Sequence, residues 1–122
     1  MVKLDHIGIC ASNTKILKDW YVKLFEMDIV YDNKKEMPTY FLQYDGGMIE
    51  IYAAESSVEP VSNKHQGIRH LSFLTEDLVA AHSRLVEANV EIIEPLKEHA
   101  NGSKTVFFRD PEGNIIHYIQ RP

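Results

Sequence analysis

Along the chain, stretches in which apolar residues alternate with small or polar ones are interrupted by two stretches with apolar residues every three or four positions. Lys3–Cys10 alternates and carries β-branched residues, which predicts a strand. Asn13 or Ser12 can cap a helix over about Thr14–Glu26, where Ile16, Leu17, Trp20, Leu24 and Phe25 recur at helical spacing. Asp28–Asp32 and Thr39–Tyr44 read as strands. Asp45-Gly46-Gly47 reads as a hairpin turn, because glycine supplies the positive φ that tight turns need, and Met48–Ala53 is the returning strand. The second half repeats the order. It has a strand over Ile68–Leu74, a helix from a cap at Asp77 or Thr75 to about Ala88, and strands near Val90–Glu94, Lys104–Arg109 and Asn114–Gln120. Asp110-Pro111-Glu112-Gly113 supplies its turn. Each half is therefore βαβββ.

The residues repeat as well as the elements. Leu4-Asp5-His6-Ile7-Gly8-Ile9 matches Ile68-Arg69-His70-Leu71-Ser72-Phe73 at an offset of 64. Tyr40-Phe41-Leu42 through Gly46-Gly47-Met48-Ile49-Glu50-Ile51 matches Phe107-Phe108-Arg109 through Gly113-Asn114-Ile115-Ile116-His117-Tyr118 at an offset of 67. Matching blocks in the same order in both halves predict a duplication. Module 1 covers about residues 1–54, a polar linker with Pro60 covers 55–66, and module 2 covers about 67–122. Neither half buries much alone, so the 122 residues read as one domain.

Charge narrows the partners. Thirteen Lys and Arg against eighteen Asp and Glu leave a net charge of −5, the wrong sign for neutralising phosphates, which argues against nucleic acid. Apolar runs are too short for a membrane span, and the N-terminus has no signal-peptide shape, so a cytoplasmic protein is expected. The lone Cys10 excludes a disulfide framework.

The duplication makes four polar residues conspicuous. His6 and His70 hold equivalent places in the two first strands, and Glu50 and His117 in the two last strands. All four sit among apolar neighbours, and alternation puts His6, Gly8 and Cys10 together on the face opposite Ile7 and Ile9. Gly8 and Ser72 are small and leave room in front of that face. Three imidazoles and a carboxylate on a half-buried sheet face are costly unless paired or coordinated. If a pseudo-two-fold axis relates the halves, the four can converge as ligands of one divalent ion: Zn, Ni, Fe or Mn. His65, His82 and His99 read as surface residues, and Glu91, Glu94 and Glu98 as a solvated face.

Asp-His-Ile-Gly-Ile at the start, Met-Ile-Glu-Ile-Tyr in mid-chain, Ile-Arg-His-Leu-Ser-Phe opening the second half and Phe-Arg-Asp-Pro-Glu-Gly-Asn-Ile-Ile-His at the end resemble the vicinal oxygen chelate superfamily. Within it the chain looks most like the glyoxalase I (lactoylglutathione lyase) branch. The resemblance implies the glyoxalase/bleomycin resistance/dioxygenase fold, an α+β architecture. There, two βαβββ modules curl into an incomplete barrel around a concave metal site, with His6, Glu50, His70 and His117 as the ligands.

It also implies a metal-dependent isomerase or lyase acting on a small α-oxo or vicinal-oxygen substrate through an enediolate at the metal, the substrate in some relatives being a thiol adduct. The last-strand glutamate that serves that branch as base is His117 here, and pseudo-symmetry offers Glu50 as its replacement. Glutathione anchors of the branch fall on Cys10 and Ala54. Other branches of the superfamily supply the alternatives, namely a small-ligand binding module of the bleomycin-resistance type, a thiol transferase and an extradiol-type dioxygenase. A two-fold dimer is expected, because half-barrel modules leave sheet edges that need covering.

Overall fold

Both expected caps form. Asn13 Oδ1 accepts from the Ile16 N–H at 3.1 Å, and Asp77 Oδ1 accepts from the Ala80 N–H at 3.0 Å, so each helix starts where a side chain satisfies an otherwise orphaned donor. The computed structural model describes residues 1–122 as two units, Met1–Val58 and Glu59–Pro122. The first contains β1 (His6–Ala11), α1 (Thr14–Phe25), β2 (Asp28–Asp32), β3 (Tyr40–Tyr44) and β4 (Gly47–Ala53). The second contains β5 (His70–Leu74), α2 (Leu78–Glu87), β6 (Ile92–Glu98), β7 (Lys104–Arg109) and β8 (Ile115–Gln120). Each unit is a βαβββ module, and the fold is α+β.

Strand order is the same in both, β1-β4-β3-β2 and β5-β8-β7-β6. The first and last strands of each module pair in parallel and the others antiparallel. Parallel pairing follows from the helix, which carries the chain across before the meander returns to the first strand.

In the first unit α1 packs on β1, β3 and β4. Leu17 and Tyr21 on the helix and Ala11, Leu42, Ile49 and Ile51 on the strands are fully buried there. Each buried leucine or isoleucine among them contributes about 2 kcal/mol by leaving water. Helical spacing includes Ile16 in this core, but the structure turns it out to 56% exposure, while Tyr21 is buried as the same spacing predicts. The second unit seals Leu78 and Leu85 of α2 with Val106, Phe108 and Ile116. Gln120 Oε1 also accepts from the Leu78 N–H at 2.8 Å, tying the end of β8 to the start of α2.

The larger boundary differences from the sequence reading fall in β1, β5 and β6. β1 starts at His6 and β5 at His70, because the residues before them have no partner strand. β6 runs from Ile92 through Pro95 to Glu98, later than the stretch near Val90–Glu94 read from the sequence. It is the edge strand of its sheet, with a register irregularity between Glu94 and Lys97, so the missing N–H leaves no ladder bond unmade. No helix is long and apolar enough to cross a membrane.

Candidate metal centre

Register places the polar residues. In the first unit Gly8 on β1 and Phe41 on β3 flank Glu50 on β4 as direct partners. In the second, Ser72 on β5 and Phe107 on β7 flank His117 on β8 in the same way. The face holding them is the one turned away from Ile49, Ile51 and Ile116, which are fully buried.

The four expected residues come together as two pairs, one within each unit. His6 Nε2 lies 3.6 Å from Glu50 Oε1. The His70 and His117 rings meet edge to face with centroids 5.4 Å apart. Neither unit gathers three or more His, Cys, Asp or Glu side chains in a group that could hold a metal. Burial is uneven across the pairs. His6 and His70 are exposed, Glu50 is half-buried and His117 is only 9% exposed. The sheet face is thus less uniformly half-buried than the sequence suggested.

The second ring nitrogens are the informative detail. His6 Nδ1 is 2.8 Å from Asp5 Oδ2, and His70 Nδ1 is 2.9 Å from Asn63 Oδ1. A carboxylate and an amide oxygen only accept, so both Nδ1 atoms donate, and in a neutral ring Nε2 is then the nitrogen with the lone pair. His117 Nδ1 is 2.9 Å from Ser72 Oγ, and its Nε2 is buried with no partner at all. Three imidazoles therefore have Nδ1 engaged and Nε2 left over, the arrangement that orients a histidine for a metal. His6 Nε2 and the Glu50 carboxylate face each other at 3.6 Å, an ion pair when the ring is protonated and two electron-pair donors when it is neutral. Within each unit the pair offers donor types that a divalent ion accepts.

His117 is also held neutral. Burial, and then the charges of His70, Arg121 and His99, push its pKa down from 6.5 to about 4. Phe107 stacks on its ring at 4.1 Å with a 10° interplanar angle. Phe107 and Phe41 also take His70 and His6 edge-on at 5.3 and 5.2 Å, so each unit builds the same aromatic floor.

Sequence reasoning missed this floor, along with Asp5, Asn63 and Tyr52. The Tyr52 ring occupies the space that Gly8 leaves open. A Cβ at Gly8 would come within 3.2 Å of Tyr52 Cε1 and 3.9 Å of Glu50 Oε1. Cys10 shares the face of His6 and is exposed and free.

Other residues serve the scaffold. Asp110 is buried and accepts from the Glu112 and Asn114 backbone N–H groups and from Asn114 Nδ2 at 2.8–3.0 Å, closing the turn before β8. The turn also needs Gly113, whose φ is +89°. His99 is not a plain surface residue, since its Nε2 lies 2.7 Å from Thr105 Oγ1 across the β6–β7 hairpin. Glu91, read as merely solvated, pairs with Arg109 Nε at 3.4 Å.

Residues 3–118 match the family described as the Glyoxalase/Bleomycin resistance protein/Dioxygenase superfamily. Among curated proteins, the uncharacterized protein YqjC of Bacillus subtilis (strain 168) is 25% identical over 124 residues, spanning 95% of this chain and 89% of its own. Among solved structures, a lactoylglutathione lyase from Agrobacterium tumefaciens superposes with a TM-score of 0.75 at 19% identity, covering 98% of this chain and 94% of that one. The fosfomycin resistance protein FosX from Listeria monocytogenes superposes at 0.82 with 18% identity, covering 100% and 95%. Two structures named for different activities share this fold, so the fold alone does not choose between them.

Proposed function

Starting from a chain that belongs to the Glyoxalase/Bleomycin resistance protein/Dioxygenase superfamily, we propose that its two modules act as one domain holding a divalent metal through His6, Glu50, His70 and His117. The activity we assign is that of a glyoxalase-I-like isomerase or lyase on a small α-oxo substrate. Zn or Ni suits a set of imidazoles with one carboxylate, and Fe or Mn also accepts these donors. The observation that carries the reading is the triplet of imidazoles with Nδ1 engaged and Nε2 left over, the buried Nε2 of His117 foremost.

When bound, the ion supplies Lewis-acid polarisation of a carbonyl oxygen. The chain's own residues do the rest. Glu50 is the one carboxylate of the set, and it would take a proton from the hydroxyl-bearing carbon beside the carbonyl and return it to the former carbonyl carbon, while the hydroxyl proton passes to the former carbonyl oxygen. Such a transfer is an isomerisation, needs no oxidant, and returns Glu50 to its starting state. His117, kept neutral, stays a ligand and adds no positive charge of its own. Phe41 and Phe107 exclude water from the inner side of the pairs. Cys10 and Ala54 offer no anchor to glutathione, so the thiol, where one is used, is a different one. Edge strands β1, β2, β5 and β6 flank the two sheets, and we propose that the protein works as a homodimer.

Glu50→Gln tests the base. The variant keeps the size and one coordinating oxygen, so metal content should stay near that of the wild type. Isomerisation of methylglyoxal–thiol adducts should fall about a hundredfold or more. Full turnover in metal-loaded Glu50→Gln would refute Glu50 as the proton acceptor. Wild-type protein that takes up no divalent ion would refute the metal reading itself.

A further inference from the structure

Immediately before β5, Arg69 lines a cleft of about 690 Å³ in the second unit, together with Asn63, Lys64, His70, Glu94 and Phe107. That volume is ordinary for a small-molecule site. Two guanidinium nitrogens of Arg69, Nε and Nη1, are buried with no hydrogen-bond partner. Buried donors in folded proteins are almost always satisfied, and a charged donor left alone is among the costliest to keep. An acceptor supplied by a ligand removes that cost.

The loop is shaped around the guanidinium. Gly67 has a φ of +115°, and a Cβ at that position would come within 3.0 Å of Arg69 Nη2. Any side chain at position 67 would push the head group aside. Glycine thus serves both the backbone turn and the close approach.

Charge selects the ligand. The lining carries Lys64 and Arg69 against Glu94, a formal +1 (two cations less one anion). One negative charge balances it, and a second would meet the Glu94 carboxylate. A planar carboxylate also matches the fixed fork of an arginine. His70, whose Nε2 is its remaining ring nitrogen, opens onto the same cleft.

We propose that this cleft is a monocarboxylate site and that the substrate is a small 2-oxo acid with a hydroxyl on its third carbon, its carboxylate taken by Arg69 and Lys64 and its carbonyl turned toward His70. The carbonyl end rests on the metal reading above; the carboxylate end does not.

Pyruvate, methylglyoxal and inorganic phosphate serve as probes of the full chain. Their binding is followed through the His70 ring signals in NMR and by calorimetry, with and without added Zn. Pyruvate should bind more tightly than methylglyoxal, which lacks the carboxylate, and more tightly than phosphate at neutral pH. Arg69→Met should weaken pyruvate binding about tenfold or more while leaving methylglyoxal binding and Zn uptake unchanged. Arg69→Lys should fall between the two. Lys64→Ala, at an exposed position, should weaken pyruvate binding severalfold and stands in should Arg69→Met not fold. Arg69-dependent pyruvate binding in a protein that takes up no Zn supports the carboxylate site while refuting the metal reading. Equal pyruvate binding by wild type and Arg69→Met, no pyruvate binding by the wild type, or a preference for phosphate would each overturn the proposal.

Discussion

Lowering the pH should unfold this protein through His117. Free imidazole titrates near 6.5, whereas burial holds this one down to about 4. Between those two values the unfolded chain binds a proton that the folded chain refuses, so stability rises with pH across the window. The contribution is complete above about pH 6.5 and is lost as pH falls toward 4. At about 1.4 kcal/mol for each pH unit, the interval amounts to about 3 kcal/mol. With the residue only 9% exposed, little of this is screened by solvent.

Urea denaturation at a series of pH values, with a chelator present, measures the effect. His117→Gln, neutral throughout, is the reference. The difference in unfolding free energy between wild type and His117→Gln should shift against the wild type by about 3 kcal/mol from pH 7 to pH 4. An NMR titration of the His117 ring should show its midpoint near pH 4. A difference that stays constant across the window would refute the argument that the ring is held neutral.

Ser72→Ala removes the only partner of a buried ring nitrogen, and should cost about 1–3 kcal/mol in thermal or urea unfolding. The same variant should weaken metal binding about 10–100-fold by calorimetry, through loss of ring orientation. Sedimentation equilibrium at micromolar protein should return twice the chain mass, and a monomer throughout would contradict the proposed dimer.

Much of this molecule is legible from residues alone, and the exceptions have physical causes. The βαβββ order, both helix caps and the placement of His6 with Cys10 on one face follow from periodicity and local side-chain chemistry. The aromatic floor does not. Carrying the offset of 67 through the third strand makes Phe108 the counterpart of Phe41, whereas register makes it Phe107. The turn before β8 is one residue longer than the turn before β4, and a one-residue slip in a strand exchanges its faces. Phe108 consequently lies fully buried while Phe107 meets His117. Asp5 and Asn63 escaped notice for a different reason. Periodicity sorts residues by face but names no partner, so only the folded backbone brings Asp5, inside the expected first strand, and Asn63, in the linker, to the ring nitrogens. Arg69 falls in the same class, since nothing in its spacing tells that two of its nitrogens go unpaired.

Register makes Glu50 and His117 counterparts, each flanked by a small residue on one side and a phenylalanine on the other, yet one is a carboxylate and the other an imidazole. An assembly of identical single modules is bound by its symmetry to present the same side chain twice, two carboxylates or two imidazoles. Fusing two copies into one polypeptide lifts that obligation, because each copy then accumulates its own substitutions. The result is a division of labour: at the same place in the same module, the first unit carries a carboxylate and the second an imidazole.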